Sequence, residues 1–346
     1  MKALAQRRES ATAEGLRGLV LCHDVRDGTG KIVGAKGARL DAAGAAAVLA
    51  APWDEIHVLE IQPGDLHEEE AGARLARAAV GPGVDVKGYT GGQWTLVATR
   101  RGLLSVARTA LTDVNEQEGI AVFTLFDGQP VEPGEVVAKA KVTPLVIPEQ
   151  TLTAVERTAR PAGGLVAVKG FRPQAIGAVA RENLEPKQRT RFEAALQQKV
   201  DWFGSRLLPI RYVGPSAVAV ADELQALRRQ GAEILIVAGA SALDPLDPVF
   251  GGLDRLGARM ERHGAPAHPG SLLWVARWEG LTVLGMPTCG MFSQATTFDL
   301  VLPRLLSGET ITNREVAELG HGGLLSREMA YRFPPYRTNV ARGELE

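Results

Sequence analysis

The chain has 346 residues, 45% of them hydrophobic and 23% charged, with a formal net charge of −1. That length exceeds one ordinary core and calls for two or three domains. The near-neutral balance excludes a whole-molecule field that would draw the protein to nucleic acid or to an anionic membrane, so any anion site has to be local.

Cys22 and Cys289 stand apart rather than in a CxxC pair, which argues against a zinc ribbon or a disulfide framework. Residues 1–18 are polar, carry Lys2, Arg7, Arg8 and Arg17, and read as a flexible tail without the apolar centre of a signal peptide. No apolar run reaches the roughly 18 residues of a membrane span. The expected location is the cytoplasm.

From residue 19 to about 150 the text is mixed and predicts an α+β region of two small lobes. Short β-like runs fall at 56–61, 94–99, 119–125 and 135–142. Helical runs fall at 41–51, with Asp41 placed to cap an alanine-rich stretch, and at 67–80. A connecting helix is bounded by Pro148 and Pro161.

Between residues 160 and 310 apolar runs alternate with amphipathic helices. The spacing predicts a three-layer α/β/α domain with a mostly parallel sheet. Its first strand is read at 164–169, followed by a helix over 186–204 with Phe192, Leu196, Val200 and Phe203 on one face. A run at 206–213 precedes a helix carrying Val220, Leu224 and Leu227. Glu233–Gly239 is the clearest buried strand. A helix with Val249, Leu253, Leu256 and Met260 on one side follows, then a hairpin over 272–278 and 281–286 turning at Glu279-Gly280. The last helix carries Phe298, Val301, Leu302 and Leu305, and residues 311–346 form a C-terminal extension.

Ligands of such sheets bind outside the carboxyl ends of the strands. Two loops there are rich in small, donor-bearing residues. The first, residues 238–248, holds Gly239 and Ser241 together with Asp244 and Asp247. Free N–H groups at a helix start suit an anion, whereas the two carboxylates suit a cation or a simple helix cap. The second, residues 285–293, holds Pro287, Thr288, Gly290 and Ser293, with hydroxyl and backbone donors for a phosphate. An ordinary strand-to-helix turn explains it equally well, and Cys289 reads as a small buried apolar residue. Gly270 and Ser271 form a turn before the hairpin, and Lys169-Gly170 ends the run at 164–169. No G-x-G-x-x-G follows a strand in this half, which argues against a nicotinamide dehydrogenase.

The order of these loops resembles the molybdopterin-binding domain of molybdopterin adenylyltransferases and molybdotransferases. The landmarks are Gly239-Ala240-Ser241 with Asp244 and Asp247, Pro269-Gly270, Gly285-Met286-Pro287, and Phe298-Asp299-Leu300-Val301-Leu302-Pro303. In the earlier half the tokens are Cys22-His23-Asp24, Leu66-His67-Glu68, and Val136-Val137-Ala138 with Pro144-Leu145. The resemblance implies that Asp244, then Asp247, acts in metal insertion and holds Mg²⁺ or the oxyanion. It implies that Gly239, Ser241, Gly270, Ser271, Pro287, Thr288, Gly290, Ser293 and Gly170 bind substrate, and that Asp24 and Glu68 close the site, from a second subunit of a homo-oligomer.

The family's Gly-Leu-Pro-Gly-Asn-Pro loop has become Gly285-Met286-Pro287-Thr288-Cys289-Gly290. Its Thr-Thr-Gly-Asn/Asp-Glu segment is matched to Val168-Lys169-Gly170-Phe171-Arg172. Residues 310–346 are too few for the additional β-domain of full molybdotransferases. Two functions are open on these grounds. One is a molybdotransferase-like enzyme inserting molybdate into molybdopterin or its adenylylated form. The other is a non-catalytic carrier, protector or sensor of the finished cofactor, serving a molybdenum hydroxylase or another protein of cofactor biosynthesis.

Overall fold

The structure is a computed structural model and describes residues 1–181, 184–240, 242–292 and 295–336. The chain divides into two compact units. Unit 1 comprises residues 1–100, 105–125 and 133–168, and unit 2 comprises residues 101–104, 126–132 and the chain from Lys169 onward.

The first elements in chain order are β1 (Lys2–Arg7), α1 (Ala13–Leu16), β2 (Val20–Leu21), β3 (Val25–Arg26), β4 (Ile32–Gly34), α2 (Ala42–Ala50), β5 (Glu55–Glu60), β6 (Asp65–His67) and α3 (Glu68–Ala79). They continue as β7 (Val84–Thr90), β8 (Gln93–Ala98), β9 (Gly102–Val106), α4 (Arg108–Asn115), β10 (Ile120–Thr124), β11 (Pro130–Val131), β12 (Val136–Val142), β13 (Val146–Pro148), α5 (Glu149–Ala159) and β14 (Val166–Gly170). Unit 1 is α+β, as its mixed patterning predicts, with antiparallel sheets β1-β5-β2 and β10-β12-β8-β7. The Asp41 carboxylate caps α2 by accepting from the Gly44 N–H at 2.7 Å. The expected tail is instead structured: β1 pairs with β5 from Lys2↔Glu60 to Arg7↔Glu55. An edge strand is held by its backbone pairing and here half-buries only Leu4 and Gln6, so low hydrophobicity does not mean disorder.

The later elements are β15 (Ala175–Ala180), α6 (Pro186–Trp202), β16 (Arg206–Leu207), β17 (Arg211–Tyr212), α7 (Ala217–Arg229), β18 (Ile234–Ala238), α8 (Pro248–Arg255) and β19 (Arg259–His263). The last are β20 (Trp274–Trp278), β21 (Leu281–Met286), α9 (Thr288–Phe292), α10 (Thr297–Leu306) and α11 (Asn313–Glu318). The sheet of unit 2 runs β16-β15-β18-β21-β20-β19, with β17 also on β15. Strands β16, β17, β15, β18 and β21 are parallel, whereas β20 and β19 are antiparallel. Strand alternation sends Ile234, Ile236 and Ala238 into one core with Phe192, Leu196 and Phe298, and Leu235 and Val237 into another with Val220, Leu224 and Leu253. The sheet is thus covered on both faces, α6 and α10 on one side and α7 and α8 on the other, which makes the three-layer α/β architecture.

Three expectations need correction. The first parallel strand is β15, not 164–169; β14 lies outside the seven-stranded sheet. The small residues of Ala175–Ala180 hide a strand whose six residues are all buried. The helix after β18 stops at Arg255, because Gly257 takes φ 68°, and Met260 belongs to β19. The C-terminal extension is part of unit 2, with Ile311, Val316, Leu319, Phe333 and Tyr336 in its core. The hairpin turns where predicted, through Glu279 at φ 44° and Gly280 at φ 84°. Among the described residues no helix is long and apolar enough to cross a membrane.

Candidate ligand site at the carboxyl edge of the parallel sheet

The register of three strands decides which loops meet. Ala180, Ala238 and Met286 are aligned across β15, β18 and β21. The chain therefore leaves all three at one edge, through Arg181, Gly239 and Pro287. Antiparallel β19 ends and β20 begins at that same edge, since His263 faces Trp274 and Trp274 faces Gly285. The loop between them, residues 264–273, joins the edge as well.

Hydrogen bonds tie these loops together. His263 Nε2 lies 2.6 Å from the Ala242 carbonyl oxygen, and the Thr297 N–H donates to the Pro269 carbonyl at 3.0 Å. Gly270 adopts φ 109°, and a Cβ on it would stand 2.7 Å from the Thr297 nitrogen. Only glycine lets this loop lie against the start of α10.

Gly239, Gly270, Ser271, Pro287, Thr288 and Gly290 all fall on these loops, whereas Ser241 and Ser293 lie outside the described residues. Ser271 and Thr288 are exposed and Pro287 is buried. Gly290 commits its N–H to the Pro287 carbonyl at 2.8 Å, so it is a turn residue rather than an anion donor. Cys289 is exposed, against the expectation of burial. Gly170 is not at this edge: it ends β14, which is no strand of this sheet. The segment leaving the first parallel strand instead starts at Arg181.

The two aspartates of the 239–247 loop have different fates. Asp247 is fully buried at the N-cap of α8. Its Oδ1 accepts from the Val249 N–H at 2.9 Å and its Oδ2 from the Arg181 guanidinium at 2.6 Å. Asp244 is exposed, and its Oδ1 accepts from the Leu246 N–H at 2.9 Å in a tight local turn. Mg²⁺ needs a shell of accessible oxygens. Asp247 has both oxygens committed, and among the described residues no three His, Cys, Asp or Glu side chains gather to hold a metal. The donor set therefore does not fit a Mg²⁺ ion shared by Asp244 and Asp247.

Asp299, the acid of the last-helix landmark, is also structural. Its Oδ2 accepts from the Thr296 N–H at 3.0 Å and hydroxyl at 2.9 Å, and its Oδ1 pairs with Lys199; both charged side chains are wholly buried. Sequence reasoning missed Lys199 and two cations near the loops. Arg181 follows β15 directly, and Arg191, in the second turn of α6, stands 5.6 Å over the Phe292 ring on α9. Finding Arg181 required reading 175–180 as a strand.

Within unit 1, three sequence-distant tokens come together. The Lys36 N–H donates to Asp24 Oδ1 at 2.8 Å, His67 Nε2 lies 2.8 Å from the Gly37 carbonyl, and the Glu68 N–H donates to the Leu145 carbonyl at 2.8 Å. Burial pushes the Glu68 carboxyl above the usual carboxylate range, with His67, Lys36 and Lys141 opposing. Burial likewise pushes the Cys22 thiol up against the pull of Lys36, the opposite of an activated nucleophile.

No protein-family model matches the chain, and no curated protein does. Solved structures similar to it include the molybdopterin biosynthesis protein MoeA of Pyrococcus horikosii, 13% identical with a TM-score of 0.29, over 72% of this chain and 81% of that one. The CinA protein of Thermoplasma acidophilum is 9% identical with a TM-score of 0.29, over 34% of this chain and 90% of its own. The tungsten cofactor synthesizing protein MoaB of Pyrococcus furiosus is 12% identical with a TM-score of 0.26, over 34% and 84%. Likenesses this weak carry no functional argument.

Proposed function

We propose that unit 2 binds a phosphorylated pterin, molybdopterin or its adenylylated form, along the carboxyl edge of its sheet, in the service of molybdenum cofactor biosynthesis. The observation that carries this reading is the shared register of β15, β18 and β21. It brings the loops of three sequence landmarks to one edge, as a single ligand touching them all requires. The exposed Leu243 and Leu246, 78% and 87% accessible, offer apolar surface beside those loops for a planar ring.

Of the two functions open on the sequence, the geometry favours the carrier. Metal insertion needs an available carboxylate, and Asp247 is buried, capped and ion-paired. Among the described residues of that loop, Asp244 remains as the one accessible carboxylate, with molybdate then a substrate of the reaction. Full-length protein, molybdopterin and molybdate are mixed, and pterin binding and cofactor formation are measured for wild type and Asp244→Ala. The carrier reading expects tight pterin binding in both and no aspartate-dependent insertion. Insertion lost in Asp244→Ala selects the enzyme, and absence of pterin binding in the wild type ends the pterin assignment.

A further inference from the structure

We infer that Arg181, pinned by Asp247, is the residue that holds the phosphate of the ligand, in place of a metal ion. This rests on the pterin reading for the identity of the ligand, but not for its charge.

Three observations converge on it. Arg181 is the first residue after β15, and its N–H donates to the Ala238 carbonyl at 3.0 Å, the point where the 239–247 loop begins. Its side chain keeps 25% of its surface accessible while Asp247 keeps none, so a ligand meets the cation and not the carboxylate. The guanidinium Nε is buried without a hydrogen-bond partner among the described residues. That atom is shielded, so a phosphate oxygen would meet the accessible part of the side chain, whose guanidinium fork is the shape that takes it. Finally, the ion pair to Asp247 fixes the guanidinium before ligand arrives, which removes the entropy cost of ordering a long side chain.

Of the other anion donors the loops offer, Gly290 and Thr297 commit their N–H groups to Pro287 and Pro269. The Thr296 N–H is taken by Asp299. With both oxygens of Asp247 committed, the Arg181 guanidinium is the cation this loop presents beside them.

The test titrates full-length protein with three probes: air-oxidised fluorescent molybdopterin carrying its phosphate, the same pterin after phosphatase treatment, and inorganic phosphate. Each is run with EDTA and with Mg²⁺, for wild type, Arg181→Gln and Arg181→Lys. Wild type is expected to prefer the phosphorylated pterin by about 10- to 100-fold, the worth of a charge-assisted contact, with EDTA changing nothing. Arg181→Gln is expected to abolish that preference while leaving the dephosphorylated pterin's Kd in place, and Arg181→Lys to keep part of it. A preference that survives Arg181→Gln, or that exists only with Mg²⁺, overturns the proposal and leaves pterin binding standing. Phosphate binding through Arg181 with no pterin binding overturns the pterin reading and leaves this one standing, and no binding of any probe overturns both. Thermal melts check folding. Should Arg181→Gln not fold, the ¹⁵N resonance of Arg181 Nε in the wild type decides. It is expected to move with the phosphorylated pterin alone, and equal response to both pterins refutes the role.

Discussion

Replacing Lys199 by Met removes the only cation paired with Asp299 among the described residues. Both side chains are 0% exposed, so solvent neither screens the pair nor replaces the lost partner. Asp299 would keep the Thr296 N–H and hydroxyl, which offset part of its desolvation. A buried charge stripped of its partner costs about 3–5 kcal/mol, and the retained bonds place Lys199→Met near the lower end of that range. Met fills most of the lysine volume, so the cavity contribution is small. For a cooperative unit of this size about 2–4 °C per kcal/mol puts the loss of Tm near 10 °C. The double variant Lys199→Met/Asp299→Asn exchanges the pair for neutral groups and is expected within about 1 kcal/mol of wild type. Urea unfolding followed by tryptophan fluorescence and by circular dichroism measures all three chains. A loss below about 1 kcal/mol in the single variant, or a double variant worse than the single, would show that water reaches Asp299 and refute the burial on which the reasoning stands.

Two further outcomes follow from the same kind of reasoning. Burial raises the Glu68 carboxyl, so the folded state holds its proton more tightly than the unfolded chain, and this site's contribution to stability falls as pH rises through the folded value. Glu68→Gln is therefore expected to raise the Tm of the unit 1 transition at pH 7, with a gain that shrinks towards pH 4; a gain independent of pH would contradict desolvation of the carboxylate as its cause. Gly285→Ala places a Cβ 2.1 Å from the Trp274 ring inside a buried strand pair, and overpacking of that kind costs about 1–3 kcal/mol or more; unchanged urea midpoint and unchanged tryptophan emission would count against the packing described.

What the sequence made legible is what is local. Asp41 before an alanine run, Glu279-Gly280 between two apolar runs, and the 3.6-residue spacing of Phe192, Leu196 and Val200 each state their structure within a few residues. What stayed hidden depends on partners far along the chain. Ala175–Ala180 carries Ala or Gly at four of its six positions, where α6, α7 and strands β16, β17 and β18 crowd it, and nothing nearby announces that crowding. Reading the first strand at 164–169 then moved the search for a phosphate contact to Gly170 and away from Arg181. Lys199 looks like one more polar residue of an amphipathic helix until Asp299, a hundred positions later, is folded against it.

The two carboxylates of the 239–247 loop show how the same letter carries two meanings. Asp two residues before a helical Val caps that helix, and the cap alone explains one oxygen of Asp247. The second oxygen is explained only by Arg181, 66 positions earlier. A site that binds a metal leaves a carboxylate open to it. This loop closes Asp247 with a guanidinium, leaves that cation partly exposed, and keeps Asp244 accessible. On the proposed reading, the partly exposed guanidinium gives this edge a local positive charge, the sign a phosphorylated ligand calls for. Under that proposal retention of the anion would rest on the guanidinium fork, and the carrier reading expects binding that EDTA leaves unchanged.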